Sequence, residues 1–353
     1  MQALLTQPGV PHSIHVADVP DAAARAHEVL LRVLEVGVCG TDREIAHGLF
    51  GVAPTGEREL VLGHEALAVV ERDGHGFTRG QLVTATVRRS CTHCLACDEG
   101  APDSCLSGDY FERGITRLDG FARELVPEDP AQLVSIPASL GRLGVLAEPA
   151  SICARAIRHA RTIGGRQPWR LRRALVLGAG SVGALTTFLL RLADVDVWVA
   201  SLEPADDQRA AVIEACGARY ASTEHTELAA LREEAGGFDL VVEAAGDAQL
   251  QADSFALLGR SGILCLLGID GREQRVTLDG RVLGVDTILE NRVVFGSVNA
   301  HRSDWMEGVA ALDRARARWQ DALEALIAVR VPLDRFEEAL GFRGGKATVV
   351  LGR

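Results

Sequence analysis

The chain has 353 residues, 47% hydrophobic and 24% charged, and carries a formal net charge of -11. That length allows two domains with a substantial core, and the composition is that of an ordinary globular protein. An acidic surface argues against nucleic-acid binding. No run reaches about 18 apolar residues, which argues against a membrane span, and the N-terminus MQALLTQPGVPHSIHV has no signal-peptide pattern, so a cytoplasmic protein is expected.

The first part of the chain reads as short strands and loops. EVLLRVLEVGV, HEALAVVER and QLVTATVRR are β-rich runs between Gly, Pro and charged turns, which predicts a compact β core with inserted loops. Cys39-Gly40-Thr41-Asp42 ends the first run and Gly63-His64-Glu65 opens the second, while Glu148 follows later in LAEPA. Thiolate, imidazole and carboxylate are all competent zinc ligands, and a shell left incomplete by protein has room for a substrate oxygen. Singly, each residue has a plainer reading: a small buried cysteine, a hydrogen-bonded core histidine, salt-bridged glutamates.

Next comes CTHCLACDEGAPDSC, with Cys91, Cys94, Cys97 and Cys105 spaced C-x2-C-x2-C-x7-C. Four thiolates on a tight loop can close a tetrahedral shell with no open position, which points to a structural zinc. A disulfide pair needs an oxidising compartment, and an iron–sulfur cluster shares the ligand type; both stand as alternatives.

The pattern changes after Leu146. AEPASICARAIRHA reads as a helix and IGGRQPWRLRR as an exposed connection. Strands and helices then alternate: ALVLGAG, SVGALTTFLLRLA, DVWVAS, a polar helix from Asp206 to Cys216, FDLVVEAAG, a helix from Ala248 to Leu258, GILCLLGI and RVVFGSV. Short apolar strands between helices mean a parallel sheet covered on both faces. A long helix is expected from Asp304 to Val329, and ATVVLG reads as a closing strand returning to the first domain. Cys153, Cys216 and Cys265 fall in these patterns as core residues.

Gly178-Ala179-Gly180-Ser181-Val182-Gly183 forms GxGxxG between a strand and a helix. The glycines permit the tight turn, the approach of a pyrophosphate and close helix–strand packing, and the helix N-terminus faces the phosphates. Glu203 lies 20 residues beyond Gly183, where a carboxylate accepts from an adenosine ribose and repels a 2′-phosphate. Ser201 tolerates a phosphate and Arg209 reaches for one, yet the run is read in favour of NAD over NADP. Lys346, in GGKATVV, is the only lysine, so a P-loop is excluded, and neither Tyr110 nor Tyr220 has a lysine four residues on.

These motifs together resemble the zinc-dependent medium-chain alcohol dehydrogenases, and among them the glucose 1-dehydrogenase branch. The resemblance is carried by VGVCGTDREI, LVLGHEALAVVE, the four-cysteine lobe, DYFERGI, LAEPASI, VLGAGSVG and GSVNAH, in family order from Val36 to His301. It implies an α/β protein: a GroES-like β-rich catalytic domain (1–160 and 302–353) plus a Rossmann doubly wound parallel-sheet domain (161–301), with the active site in the cleft between them. It implies one catalytic zinc on Cys39 and His64, with Glu65 and Glu148 as the other ligands, and one structural zinc. Thr41 matches the hydroxyl that relays the substrate proton, Asp42 an acid that orients the histidine, and Glu112 and Asn299 positions near sugar and nicotinamide.

Three departures bear on the substrate. Ile152 stands where the glucose branch has an aspartate, and an apolar side chain cannot bond a sugar hydroxyl. Ser201-Leu202-Glu203 replaces a run that often carries arginines for NADP. Glu44 replaces the proton-shuttling histidine of other members, with His47 as a distant substitute. The expected reaction is therefore hydride transfer between a secondary alcohol of a sugar, polyol or cyclitol and a nicotinamide. The alternative is oxidation of glucose or another aldose at its anomeric carbon. A non-catalytic dinucleotide-binding scaffold would be signalled by loss of Cys39 or His64, and both are present. A homodimer or homotetramer is expected by analogy, with RVVFGSV at a sheet edge.

Overall fold

The computed structural model describes residues 1–351, which form two units. The first comprises Met1–Ser151, Asn299–Asp313 and the chain from Ile327 onward; the second comprises Ile152–Val298 and Arg314–Leu326.

The strand Val29–Val38 organises the first unit. Its alternating side chains bury Val29, Leu31, Val33 and Val36 in a cluster with Phe121, Val126 and Leu133. The sheet runs Leu133–Ser135, Leu82–Ala85, Glu65–Val70, Val29–Val38, Lys346–Val350, Ile327–Pro332, and Leu125–Glu128 also pairs with the central strand. The pairing register decides which side chains become neighbours. Gly37 stands opposite Glu65 on one side and Thr348 on the other. Two residues past Gly37, Cys39 leaves the strand and becomes the N-cap of the helix Gly40–Ala46. Glu35, fully buried in the same strand, receives Arg142 and Arg330, each at 2.9 Å, so its charge is paired.

The second unit holds six parallel strands in the order Arg219–Ser222, Asp196–Ser201, Arg173–Leu177, Phe238–Glu243, Leu258–Leu266, Val293–Gly296. In order of sequence this is 3-2-1-4-5-6, the doubly wound arrangement, whose ligand crevice lies beyond the carboxyl ends of the two middle strands. Those strands, Arg173–Leu177 and Phe238–Glu243, are almost wholly buried, as both-face coverage requires.

Several element boundaries differ from those expected. The helix from Ala248 stops at Asp253; a 3-10 turn, Ser254–Leu257, follows, and Leu258 already begins a strand. The long helix is Arg302–Ala325, broken at Trp319, where the indole stacks on Phe188 at 5.8 Å. Its expected end, through Val329, is instead the strand Ile327–Pro332, paired in parallel with Lys346–Val350; alternating β-branched residues favour the pleat over the helix. Residues 314–326 consequently group with the second unit. The helix from Ala147 runs on to Gly164. Gly352, the last residue of the expected closing strand, lies outside the described residues. No helix among them is long and apolar enough to cross a membrane.

Candidate active site and metal centres

Strand pairing brings Cys39 and His64, 25 residues apart in sequence, into contact: Sγ lies 3.0 Å from Nε2. One ligand atom each from Cys39, His64 and Glu65 falls within 4.8 Å of the others, with His64 and Glu65 buried. The turn that presents the thiol is self-bracing. Cys39 Sγ accepts from Thr41 N–H at 3.2 Å, and Asp42 Oδ2 accepts from Cys39 N–H at 2.9 Å, a reciprocal capping box. Asp42 Oδ1 stands 3.5 Å from His64 Nδ1, on the ring edge opposite the thiol. It thereby orients the imidazole so that Nε2 faces the cluster.

The electrostatics are those of a cation site. Burial pulls the His64 imidazole down, but Cys39 and Asp42 outweigh it and hold it well above its usual range. Burial pushes Asp42 up, yet the imidazole beside it keeps the carboxyl low. Glu148 is pushed up to about 8, first by burial and then by the negative charge of Glu65. Buried carboxylates and a thiol crowd the site, beside the imidazole and the buried Lys346 ammonium. His64 Nδ1 and Asp42 Oδ1 are buried without an aligned hydrogen-bond partner, while Glu65 Oε2 faces the Lys346 ammonium. A soft sulfur, a nitrogen and a carboxylate oxygen suit zinc, so the residues fit the ion. Glu148, at the start of the helix Ala147–Gly164, is not one of the three converging ligands. Ile152 follows one turn later on that helix.

Thr41 makes no side-chain hydrogen bond within the described residues, which leaves its hydroxyl for a ligand. Glu112 and Asn299 are joined: Asn299 Nδ2 donates to Glu112 Oε1 at 2.8 Å. Arg88 Nε reaches the same oxygen at 2.9 Å, stacks 3.8 Å over the Tyr110 ring and donates through Nη1 to Asp103 O. Asn299 holds a left-handed φ of 64°. His47 is spent as a helix cap: its Nδ1 lies 2.7 Å from Arg43 O and its ring meets His12 edge-on.

Sulfur atoms of Cys91, Cys94, Cys97 and Cys105 also converge within 4.8 Å, and no disulfide links the described cysteines. Backbone N–H groups of Leu106 and Cys97 draw the Cys94 thiol down to about 6, whereas burial raises Cys97 to about 11. Four gathered sulfurs with N–H donors aimed at them suit a closed tetrahedral metal shell.

In the second unit Gly178 adopts φ 102°, where a side chain is strained. A Cβ on Gly183 would lie 1.9 Å from Gly178 O, whereas one on Gly180 would meet nothing within 4 Å. Gly183 is therefore required by packing, and Gly180 borders open space at the N-terminus of the helix Ser181–Leu192, where Ser181 and Val182 form the first turn. Gly183→Ala is expected to cost about 1–3 kcal/mol, visible as a lowered Tm. Gly180→Ala should leave Tm unchanged and weaken dinucleotide binding in a fluorescence titration. Ser201 Oγ accepts from Ala179 N–H at 3.1 Å and donates to Glu203 Oε2; Arg209 holds Glu203 Oε1, and Asp207 as well. Both Glu203 oxygens are thus engaged, so the acidic residue on which the NAD preference rested is already neutralised by an arginine.

Three residues of these sites carried no functional reading in the sequence. Lys346 pairs with Glu65, Gly37 makes room for that pair, and Arg88 steadies Glu112. A solitary lysine in a chain otherwise supplied with arginine was the one available signal.

The alcohol dehydrogenase GroES-like domain model matches residues 25–138, and the glucose dehydrogenase C-terminus model matches 141–351. A glucose 1-dehydrogenase of Methanocella arvoryzae is 38% identical, covering 99% of this chain and 98% of its own, and that of Thermoproteus tenax is 38% identical over 99% of each. Among solved structures, Haloferax mediterranei glucose dehydrogenase in complex with NADP, zinc and gluconolactone superposes with a TM-score of 0.91 at 30% identity, covering all of both chains. Fold, motifs and full-length relatives agree: the chain belongs to the glucose-dehydrogenase-like branch of the zinc-dependent medium-chain dehydrogenases, which are NAD(P)-dependent oxidoreductases.

Proposed function

We propose that this chain oxidises an aldose at its anomeric carbon to the lactone, with NAD(P) as hydride acceptor. The anomeric centre bears one hydroxyl and one hydrogen, so this is the specific case of the secondary-alcohol oxidation expected from the motifs. The observation that carries it is the convergence of Cys39 Sγ, His64 Nε2 and the Glu65 carboxylate, in the same unit as the Glu112–Asn299 pair. Zinc held by Cys39, His64 and Glu65 would supply Lewis acidity to the sugar hydroxyl, and a nicotinamide would supply the hydride acceptor. Thr41 Oγ1 takes the hydroxyl proton and passes it to water. Asp42 fixes the imidazole, and Glu148 is a further carboxylate available to the metal. Glu112 and Asn299 bond sugar hydroxyls. The four-cysteine lobe holds a second, structural zinc.

Ile152 favours a second reading, a polyol or cyclitol substrate, because an apolar side chain one turn beyond Glu148 offers no hydrogen bond to a sugar hydroxyl. A panel of aldoses and cyclitols, followed by absorbance of reduced nicotinamide, separates the two. Aldose turnover with lactone as product supports the first; turnover confined to cyclitols overturns it.

For the cofactor, Arg209 is the residue that meets a 2′-phosphate once it leaves Glu203. Arg209→Ala is expected to lower kcat/KM for NADP relative to NAD by about ten- to a hundredfold, the loss of one charge-assisted contact. Steady-state kinetics with both dinucleotides reads the ratio.

We further propose a homo-oligomer. The strand Val293–Gly296 closes one edge of its sheet, and Val285, Ile288, Leu289 and Val298 are exposed nearby in sequence. Sedimentation of the purified chain reads the assembly state.

A further inference from the structure

One cavity of the first unit is walled by cations. It encloses about 300 Å3 between the helix Gly40–Ala46, the loop that carries His12, and the turn after the helix Phe336–Gly341. Arg43, Ala46 and His47 line it, and residues three and four apart share one face of a helix. Asp42, which orients His64, is buried on another side of the same helix and does not line this cavity.

Arg43 is built into the wall. Its Nε donates to Leu340 O at 2.9 Å and its Nη2 to Phe342 O at 2.8 Å, while Nη1 makes no hydrogen bond among the described residues. No carboxylate pairs with it there. A half-buried guanidinium without an acid calls for a counter-charge, because a charge taken out of water is costly unless it is compensated. Arg343 Nη1 donates to the same two carbonyls, at 2.7 Å and 3.2 Å, so two like charges are held side by side. Burial first, and then Arg343, keep Arg43 below its usual range, against the pull of Cys39, Asp42 and Glu65.

The rest of the lining is fixed as well. His47 Nδ1 is spent on Arg43 O, and the His12 ring meets the His47 ring edge-on, with centroids 6.2 Å apart. His12 N–H donates to Ala46 O at 3.0 Å, and His12 holds a left-handed φ of 59°. Glu337 is the acid of the lining, whereas its neighbour Glu338 is engaged by Arg335. In a chain of net charge -11, this gathering of cations is a local feature.

We propose that this cavity binds a phosphate monoester, its phosphate between Arg43 and Arg343 and the hydroxyl groups of its organic part donating to Glu337. A guanidinium fork matches the oxygens of a phosphate, which carries nearly two negative charges at neutral pH, through charge-assisted bonds. One wall is the helix whose N-cap is Cys39, so the ligand rests against the element that presents the catalytic thiol. The site depends on neither metal.

Isothermal titration calorimetry of the intact, zinc-loaded protein tests this with two probes, inorganic phosphate and a hexose 6-phosphate, at constant ionic strength. The hexose ester is expected to bind with a Kd at or below about 1 mM, and inorganic phosphate more weakly. R43M and R343M are each expected to weaken both probes at least about tenfold, the loss of one charge-assisted contact. E337Q is expected to weaken the ester and leave inorganic phosphate unchanged. Should R43M not fold, R343M decides alone, because Arg343 is exposed and bonds two backbone carbonyls. An ester Kd weaker than about 1 mM, or ester binding indifferent to R343M, overturns the site. An ester that binds no more tightly than inorganic phosphate, or equally well to E337Q, overturns the monoester assignment.

Discussion

Replacing Cys39 by serine is expected to lower turnover at least about a thousandfold while leaving the fold and dinucleotide binding intact. A Lewis acid contributes several kcal/mol to the stabilisation of charge developing on a substrate oxygen, and about 4 kcal/mol is roughly three decades of rate. Structural side effects are small for a definite reason. Cys39 is a helix N-cap whose sulfur accepts from Thr41 N–H, and serine is among the preferred residues for that duty. The bond from Cys39 N–H to Asp42 belongs to the backbone and survives the change. What is lost is the sulfur 3.0 Å from His64 Nε2. Zinc should fall from two ions per chain to one, Tm should move little, and titration with reduced dinucleotide should give the wild-type Kd. Normal turnover with both ions retained would remove Cys39 from the metal.

How much of this was readable in the sequence depends on the distance over which each feature is assembled. The dinucleotide loop is six consecutive residues, and its glycines carry their reasons with them: Gly178 in its φ, Gly183 in its lack of space. The four cysteines span 15 residues, so their spacing sufficed. The cluster at Cys39 needed two strands to pair in one register, with Gly37 opposite Glu65. The motifs named the residues, and only the register made them neighbours. Lys346 is 308 positions from the carbonyl it bonds, and no local pattern encodes that contact. Glu148 shows the converse. Sequence placed it among the ligands; the three ligand atoms that converge are those of other residues, and burial and Glu65 push its carboxyl up. The secondary structure failed where context outweighed local preference. Ile327–Pro332 continues from a helix but has a partner strand in Lys346–Val350, and Trp319 breaks the helix to stack on Phe188.

The second large effect is expected from Cys94→Ala, and it should differ in kind from that of Cys39→Ser. The lobe from Cys91 to Cys105 has little regular structure. Its regular structure is one four-residue helix, Leu95–Asp98, and a 3-10 turn, Pro102–Ser104, while Leu95 and Leu106 are 68% and 71% exposed. A structural zinc in such a loop contributes about 10 kcal/mol or more of apparent binding energy, comparable with the whole stability of a domain, about 5–15 kcal/mol. Removing one sulfur opens the shell, and the loop loses the interaction that ordered it. The damage then travels by a traceable route. Arg88 donates to Asp103 O inside the lobe and to Glu112 Oε1 outside it, and Asn299 shares that oxygen. With Asp103 adrift, Arg88 loses one of the two hydrogen bonds that hold its guanidinium, and Glu112 a fixed partner. Cys94→Ala is therefore expected to lose one zinc, to become sensitive to proteolysis between residues 91 and 106, and to show a KM for sugar raised at least about tenfold, equivalent to one charge-assisted hydrogen bond. Dinucleotide affinity should stay unchanged, because the glycine loop belongs to the other unit. A Cys94→Ala protein with wild-type Tm, protease resistance and KM would show that the lobe is ordered by something other than its metal.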